Sequence, residues 1–309
     1  MNSFCGKELA PLILAARDDR FSNVIWFLCI VNIATAIVTV MGNLSVVIAI
    51  WRTPSLHRPS FVLLSGLALS DLGVGLISQP FFVAHNMVDS HNCSLFYVYF
   101  KVHEYFANQL IYVTFITLCA TAVERFLALK IHLRYKELVT VRKTLFCLFL
   151  IWITASIREV WKWIHRPSAM IGGIILGFGA SSTTVICYIK IFRIVRYHQT
   201  QIRNQIQIPH QGSQATIPNI ARYRKSLRTL FYVVCFFCLS YLPWLFLGIA
   251  IKAVNKGITV EILFVSRIFY TTSSLNSCFN PFLYCWRMEE IRQAIKEQLK
   301  LLRWKNSGN

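Results

Sequence analysis

Asn276-Ser277-Cys278-Phe279-Asn280-Pro281-Phe282-Leu283-Tyr284 closes an apolar run that begins near Val260. Amides and hydroxyls stand here among Ile, Leu, Phe and Cys, and a proline follows. Proline in a helix interior removes one hydrogen bond and kinks the chain against the preceding turn. Asn280 and Tyr284 flank that kink and can exchange partners when the helix moves. Pro80 and Pro243 place similar weak points in two other apolar runs. The competing reading is a plain packing kink, since proline is common in membrane helices.

Composition says which medium surrounds that helix. The chain is 55% hydrophobic and only 15% charged, with 23 Phe in 309 residues. Soluble domains hold about 45–50% apolar and about 25% charged residues, so polar surface is too scarce for a water-soluble globule, and disorder is excluded by the same figures. A membrane helix needs roughly 20 apolar residues. Seven such stretches run about Val24–Trp51, Ser60–Val88, Phe96–Leu129, Thr144–Ile164, Ser168–Val195, Leu227–Ile251 and Val260–Trp286. Arg158, Glu159, Lys162 and Arg166 interrupt the hydropathy where the fourth meets the fifth. Without period-2 alternation these runs are helices and not strands. The fold class is therefore all-α integral membrane, a seven-transmembrane helix bundle followed by an amphipathic eighth helix.

The net charge of +19, from 32 Lys+Arg against 13 Asp+Glu, resembles a nucleic-acid signature until it is mapped. Most of the basic residues fall in the 52–59 and 130–143 loops, the 190–228 region and the tail after Trp286. By the positive-inside rule these face the cytoplasm. Residues 1–23 then form an extracellular N-terminal segment, 24–286 the membrane domain, and 287–309 the amphipathic helix and a short tail. The first 23 residues show no signal-peptide pattern, so the first span is expected to act as its own signal-anchor. The chain is then expected to be multi-pass with its N-terminus outside, and to have no nucleic-acid partner.

Of ten cysteines, only Cys5 and Cys93 face the oxidising side, which makes a Cys5–Cys93 bridge a candidate. Cys235 and Cys238, on a membrane helix with no second pair, make no zinc or redox site. Asn92-Cys93-Ser94 is a candidate glycosylation sequon, weakened by its closeness to the membrane.

Polar residues within the spans carry the functional signal. Asp71, in Leu67-Ala68-Leu69-Ser70-Asp71-Leu72, sits midway along the second span. A carboxylate there costs about 2.5–3.5 kcal/mol on insertion scales, so it needs partners and marks function. Asn43, Thr114, Asn276, Ser277 and Asn280 are the candidates, a hard-oxygen set suited to a small cation or water. A hydrogen-bond hub that only locks helix packing is the alternative. Glu124-Arg125-Phe126 meets the cytoplasmic end of the third span, where an isolated arginine would simply snorkel.

Taken together, the landmarks carry a resemblance. Gly42-Asn43, Leu67-Ala68 with Ser70-Asp71, Glu124-Arg125-Phe126, Trp152, Tyr188, Phe237 with Pro243, and Asn280-Pro281 with Tyr284 place one mark in every span. The chain resembles a rhodopsin-like (class A) G-protein-coupled receptor over about 24–302. The resemblance implies a receptor that binds an extracellular ligand and activates a heterotrimeric G protein by outward movement of the sixth helix. It implies a sodium pocket at Asn43, Asp71, Thr114, Asn276, Ser277 and Asn280, with sodium as an allosteric ion and no other cofactor. It implies that Glu124, Arg125, Phe126, Tyr188, Pro281 and Tyr284 carry G-protein activation. Tyr241 takes the place of the toggle tryptophan.

Departures from the family pattern narrow the ligand. Amine receptors carry an aspartate where Ala107 stands, and opsins a lysine where Ser274 stands. The usual third-span cysteine is replaced by Phe100, the 164–168 turn has none, and Ala180 replaces the fifth-span proline. These features resemble the branch that melanocortin receptors share with adenosine, cannabinoid and lysophospholipid receptors. Glu104 matches one acid of the melanocortin calcium site, but Phe100 and Phe81 stand at the other two. Glu104, Tyr105, Asn108, Trp161, Tyr241, Leu245, Arg267 and Tyr270 are candidate pocket residues, suited to a peptide, lipid or small polar ligand. Ordinary helix packing is the alternative for each, and interfacial snorkelling for Arg267.

On the inside, 197–221 lacks periodicity and is expected to be an unstructured linker. Ile291, Ile295, Leu299 and Leu302 give residues 289–302 one apolar face, for a helix lying along the membrane. The competing function class is a seven-helix transporter or channel, which needs a continuous polar path; polar residues are expected to thin out above Asp71. No nucleophile, base or metal spacing points to an enzyme.

Overall fold

A computed structural model describes residues 19–88, 92–131, 134–206, 235 and 260–307. The described residues are helical apart from short connections. The first span runs Asp19–Arg52 and the second Pro59–Met87. The third runs Cys93–Ile131, the fourth Val141–Ile164, the fifth Arg166–Ile206 and the seventh Val260–Arg287. The helix after it covers Glu289–Ser307. Among the described residues, five helices are long and apolar enough to cross a membrane. The seventh span is interrupted by its own Thr271, Thr272, Ser273, Ser274, Asn276, Ser277 and Asn280. The sixth, with Phe237, Tyr241, Pro243 and Leu245, lies outside the described residues apart from Cys235, as do residues 1–18 with Cys5 and the side chain of Cys93, whereas residues 19–23 of the expected N-terminal segment belong to the first helix.

Local chemistry sets the helix ends. Asn92 Oδ1 accepts from Leu95 N at 3.2 Å and caps the third span, which gives the sequon asparagine a structural task. Thr140 caps the fourth span through Lys143 N. Only His165 separates the fourth helix from the fifth, so the connection between them is a one-residue turn. One expectation fails: residues 197–206 continue the fifth helix to Ile206 and are not linker. The polar stretch Gln-Thr-Gln-Ile-Arg-Asn-Gln has no apolar period, yet an established helix propagates into it at little cost.

Pro80 lacks the N–H its helix would use, and the turn before it, Val74–Ser78, widens into a π segment. Pro281 is handled differently. The carbonyl it leaves unbonded belongs to Ser277, four residues back, and Asn43 Nδ2 donates to that oxygen at 3.0 Å. Gly42 lets the first span come close enough: a Cβ there would lie 2.9 Å from Pro281 Cγ and 3.0 Å from its Cβ. Because the proline ring cannot yield, Gly42→Val is expected to cost about 1–3 kcal/mol. A thermal-denaturation assay on the detergent-solubilised protein should show the apparent Tm falling by roughly 5 °C; an unchanged Tm would contradict the close approach.

The chain divides into two compact units. One comprises residues 1–44, 68–110 and 234–282; the other comprises 45–67, 111–233 and 283–309. In the second unit Val62, Leu63, Val113, Leu148, Ile151 and Ala155 form the core, with Trp152 packed against it. The fourth span buries Thr144, Leu148, Ile151, Ala155 and Glu159 on one face at helical spacing. Glu159 is therefore the continuation of a core stripe, and Arg158 and Lys162 neutralise it there. Of the charges that interrupted the hydropathy, Arg158, Glu159 and Lys162 form an ion cluster about a buried carboxylate.

Candidate functional site

In the first unit Asp71 is 1% exposed. Ser277 Oγ donates to its Oδ1 at 2.6 Å and Asn280 Nδ2 to its Oδ2 at 2.8 Å. Asn43 donates to Thr39 O at 2.9 Å and to Ser277 O, and its own Oδ1 is buried without a partner. Asn276 is also buried here. Thr114 is buried in the other unit. A carboxylate offers about four lone-pair sites, and two are used, so the donor set of Asp71, Ser277 and the free Asn43 oxygen fits a small hard cation by its chemistry.

In the second unit the end of the third span is a polar cluster. Ser60 Oγ donates to Glu124 Oε1 at 2.7 Å, and Tyr135 Oη donates to the same oxygen. Burial, and then the adjacent carboxylate, push the Tyr135 phenol well above its ordinary range, so it stays protonated and remains the donor. Arg125 Nε lies 3.5 Å from Glu124 Oε2. Glu124 is thus fixed on one oxygen, while the other lies at ion-pair distance from Arg125 Nε without a hydrogen bond between them. Glu124→Gln keeps an oxygen for Ser60 and Tyr135 but removes the ion pair. Basal nucleotide exchange on a G protein is expected to rise about tenfold, from roughly 1.4 kcal/mol of lost restraint; an unchanged basal rate would argue against that restraint. Phe126 is flanked by Lys130 and by Lys190 of the fifth span, with Nζ 5.8 and 5.5 Å from the ring centre. Tyr284 is completely buried, and Tyr188 half-buried.

The outer candidates are redistributed. Glu104 is engaged by Lys101 at 3.1 Å, and Asn108 bonds the Glu104 carbonyl at 2.6 Å, so these residues are tied within their own helix. The ring of Tyr105 meets Phe106. Trp161 is 49% exposed and donates from its indole to Ser168 Oγ at 3.0 Å across the short turn. Tyr270 turns inward: its hydroxyl pairs with Ser78 Oγ at 2.8 Å, and its ring stacks on Phe82 at 4.7 Å. Arg267 is 6% exposed and does not snorkel.

Polar groups do not thin out above Asp71. Ser274 Oγ donates to Asn32 Oδ1 at 3.2 Å, Asn32 Nδ2 to Thr271 Oγ1 at 2.8 Å, and Gln79 Nε2 to Thr35 Oγ1 at 2.9 Å. His103 and His85 are buried beyond them. Each span shows only one or two of these residues, and the pattern emerges when the polar faces of the first, second and seventh spans meet. Ser60, at the very start of the second apolar run, and Tyr135, in the loop after the third, carry no hydropathy signal of their own, and only the fold brings them to Glu124.

Comparison with known proteins adds a direct finding. The sequence model of the "7 transmembrane receptor (rhodopsin family)" matches residues 42–166 and 157–284. Trace amine-associated receptor 9 of Mus musculus is 26% identical over 287 residues, covering 84% of this chain and 81% of the relative. The Homo sapiens protein of that name is equally identical over the same coverage. Melanocortin receptor 3 of Mus musculus is 24% identical over 276 residues, with 87% and 84% covered.

Proposed function

Since the chain belongs to the rhodopsin family of seven-transmembrane receptors, and is a multi-pass G-protein-coupled receptor and not an enzyme, we propose that it resides in the plasma membrane with its N-terminus outside. Ligand binding there drives the sixth helix outward and opens the face around Arg125 to a heterotrimeric G protein. The observation that carries this reading is the restraint of Arg125 by a Glu124 that Ser60 and Tyr135 fix in turn. A cationic group held in that way can be released, and the equilibrium between held and released states is what a ligand shifts. The bias of basic residues to one set of loops supports the orientation. Cell-surface labelling of an N-terminal epitope tests the topology, and nucleotide exchange on reconstituted G proteins tests the activity. Labelling only after permeabilisation would reverse the orientation.

We further infer that Asp71, Asn43, Ser277 and Asn280 hold a sodium ion, which adds a positive charge against the carboxylate and favours the packing seen here. The named relatives are trace amine-associated receptors, yet the ligand of this chain is not an ordinary amine. Ala107 offers no charge where amine receptors carry an aspartate, and Lys101 occupies Glu104 one turn away. An ammonium group would find no free carboxylate among these residues.

A further inference from the structure

Arg267 lies about two turns into the seventh span. Its Nη1 is buried with no hydrogen-bond partner, and no described residue forms an ion pair with it. Among the described residues, the groups within its electrostatic reach are Cys29 of the first span and His85 of the second, both buried.

Neither His85 nor its neighbour His103 offers a negative charge. His85 Nδ1 is 3.0 Å from Phe81 O and must carry the hydrogen, while its Nε2 faces the Asn86 amide nitrogen at 3.1 Å and accepts. Both ring nitrogens are used and the imidazole is neutral. His103 Nδ1 likewise donates to Ser78 O at 3.1 Å. Around them are rings: His85 and His103 lie 5.1 Å apart, Phe82 packs edge-on against both, and Phe96 and Phe100 face His85. Arg267 is only 6% exposed, so its guanidinium has lost most of its hydration, and no described residue gives it a counter-charge. Its fork of donors matches a carboxylate or phosphate better than any other group.

We propose that Arg267 anchors the anionic head of the ligand, a carboxylate or phosphate carried on an apolar body, among the first, second and seventh spans. This rests on the reading of the chain as a ligand-activated receptor and names the chemical class of that ligand. The missing counter-charge comes from the ligand, and the rings packed about His85 and His103 receive its apolar part.

The test measures binding without a G protein, so it stands apart from any failure of coupling. The full chain is placed in nanodiscs of zwitterionic lipid, and thermal stability is followed against alkanoates from acetate to decanoate, phenylacetate and hexyl phosphate. Each anion is matched to its neutral amide or alcohol. At least one anion is expected to stabilise the protein at about tenfold lower concentration than its neutral match. Arg267→Gln should abolish that preference and Arg267→Lys should keep part of it. A second arm adds phosphatidylserine to the discs: an Arg267-dependent gain there alone assigns the anion to a lipid head group. If no anion is preferred in either arm, or the preference survives in Arg267→Gln, the proposal is wrong. It also fails if Glu8→Gln, Asp18→Asn or Asp19→Asn lowers stability as Arg267→Gln does, with no further loss in the double variant, because the counter-charge would then belong to the chain. Should Arg267→Gln fail to fold, the anion-to-neutral ratio in the native protein and in Arg267→Lys decides.

Discussion

Arg125→Ala is expected to reduce receptor-driven nucleotide exchange about 100-fold, close to the rate of the G protein alone. The estimate follows from the chemistry of the side chain. Charge-assisted hydrogen bonds contribute about 1.5–3 kcal/mol each, and a released guanidinium can make two of them to partner carbonyls. Losing both costs the coupled complex about 3 kcal/mol or more, which is two orders of magnitude in rate. Arg125 is partly exposed and pairs with Glu124, and removing it leaves that carboxylate with donors, because Ser60 and Tyr135 still serve Glu124. The loss should therefore appear in activity and not in folding. The experiment is best done in the Glu124→Gln background, where the raised basal rate gives signal without a known agonist. The double variant is expected at the basal rate of the G protein with surface expression maintained. A double variant that still exchanges nucleotide as Glu124→Gln does would place coupling elsewhere and overturn the role of Arg125.

Much of this was legible because bilayer thickness leaves few choices. Apolar runs of membrane length can only be helices, and the bias of basic loops is the ground for the proposed direction. Asp71 stood out for the same reason, since a carboxylate has no business in lipid without partners, and Ser277 and Asn280 were nameable from the polar residues beside Pro281. What hydropathy could not show is which face of a helix a polar residue occupies. Glu159 looked like a break in the fourth span, whereas it extends the stripe of Leu148, Ile151 and Ala155. Arg267 looked able to reach an interface and is enclosed. The extension of the fifth helix to Ile206 was hidden because propensity in a polar segment is weak beside the momentum of the helix that precedes it. In each case a composition average concealed a positional fact.

The position of Asp71 leads to the second large effect. Asp71→Asn is expected to remove the stabilisation that sodium gives and potassium does not, while leaving the fold intact. An asparagine has nearly the same shape, and its oxygen can still accept from Asn280 Nδ2 while its amide donates to Ser277 Oγ, provided that hydroxyl turns. Packing of the second span against the seventh therefore survives. The charge does not, and an amide oxygen with the unpartnered Asn43 Oδ1 is a poor substitute for a carboxylate toward a hard cation. At a sodium concentration ten times its dissociation constant, the ion contributes about 1.4 kcal/mol to the state that binds it. That corresponds to a rise of roughly 3–5 °C in Tm for the native protein, read as the difference between matched sodium and potassium chloride buffers. For Asp71→Asn the difference should fall to zero. Asp71→Ala should lose it too but with a lower Tm in both salts, since Ser277 and Asn280 then face an empty site. A sodium-specific gain that persists in Asp71→Asn would show that the carboxylate is a packing hub and not an ion ligand.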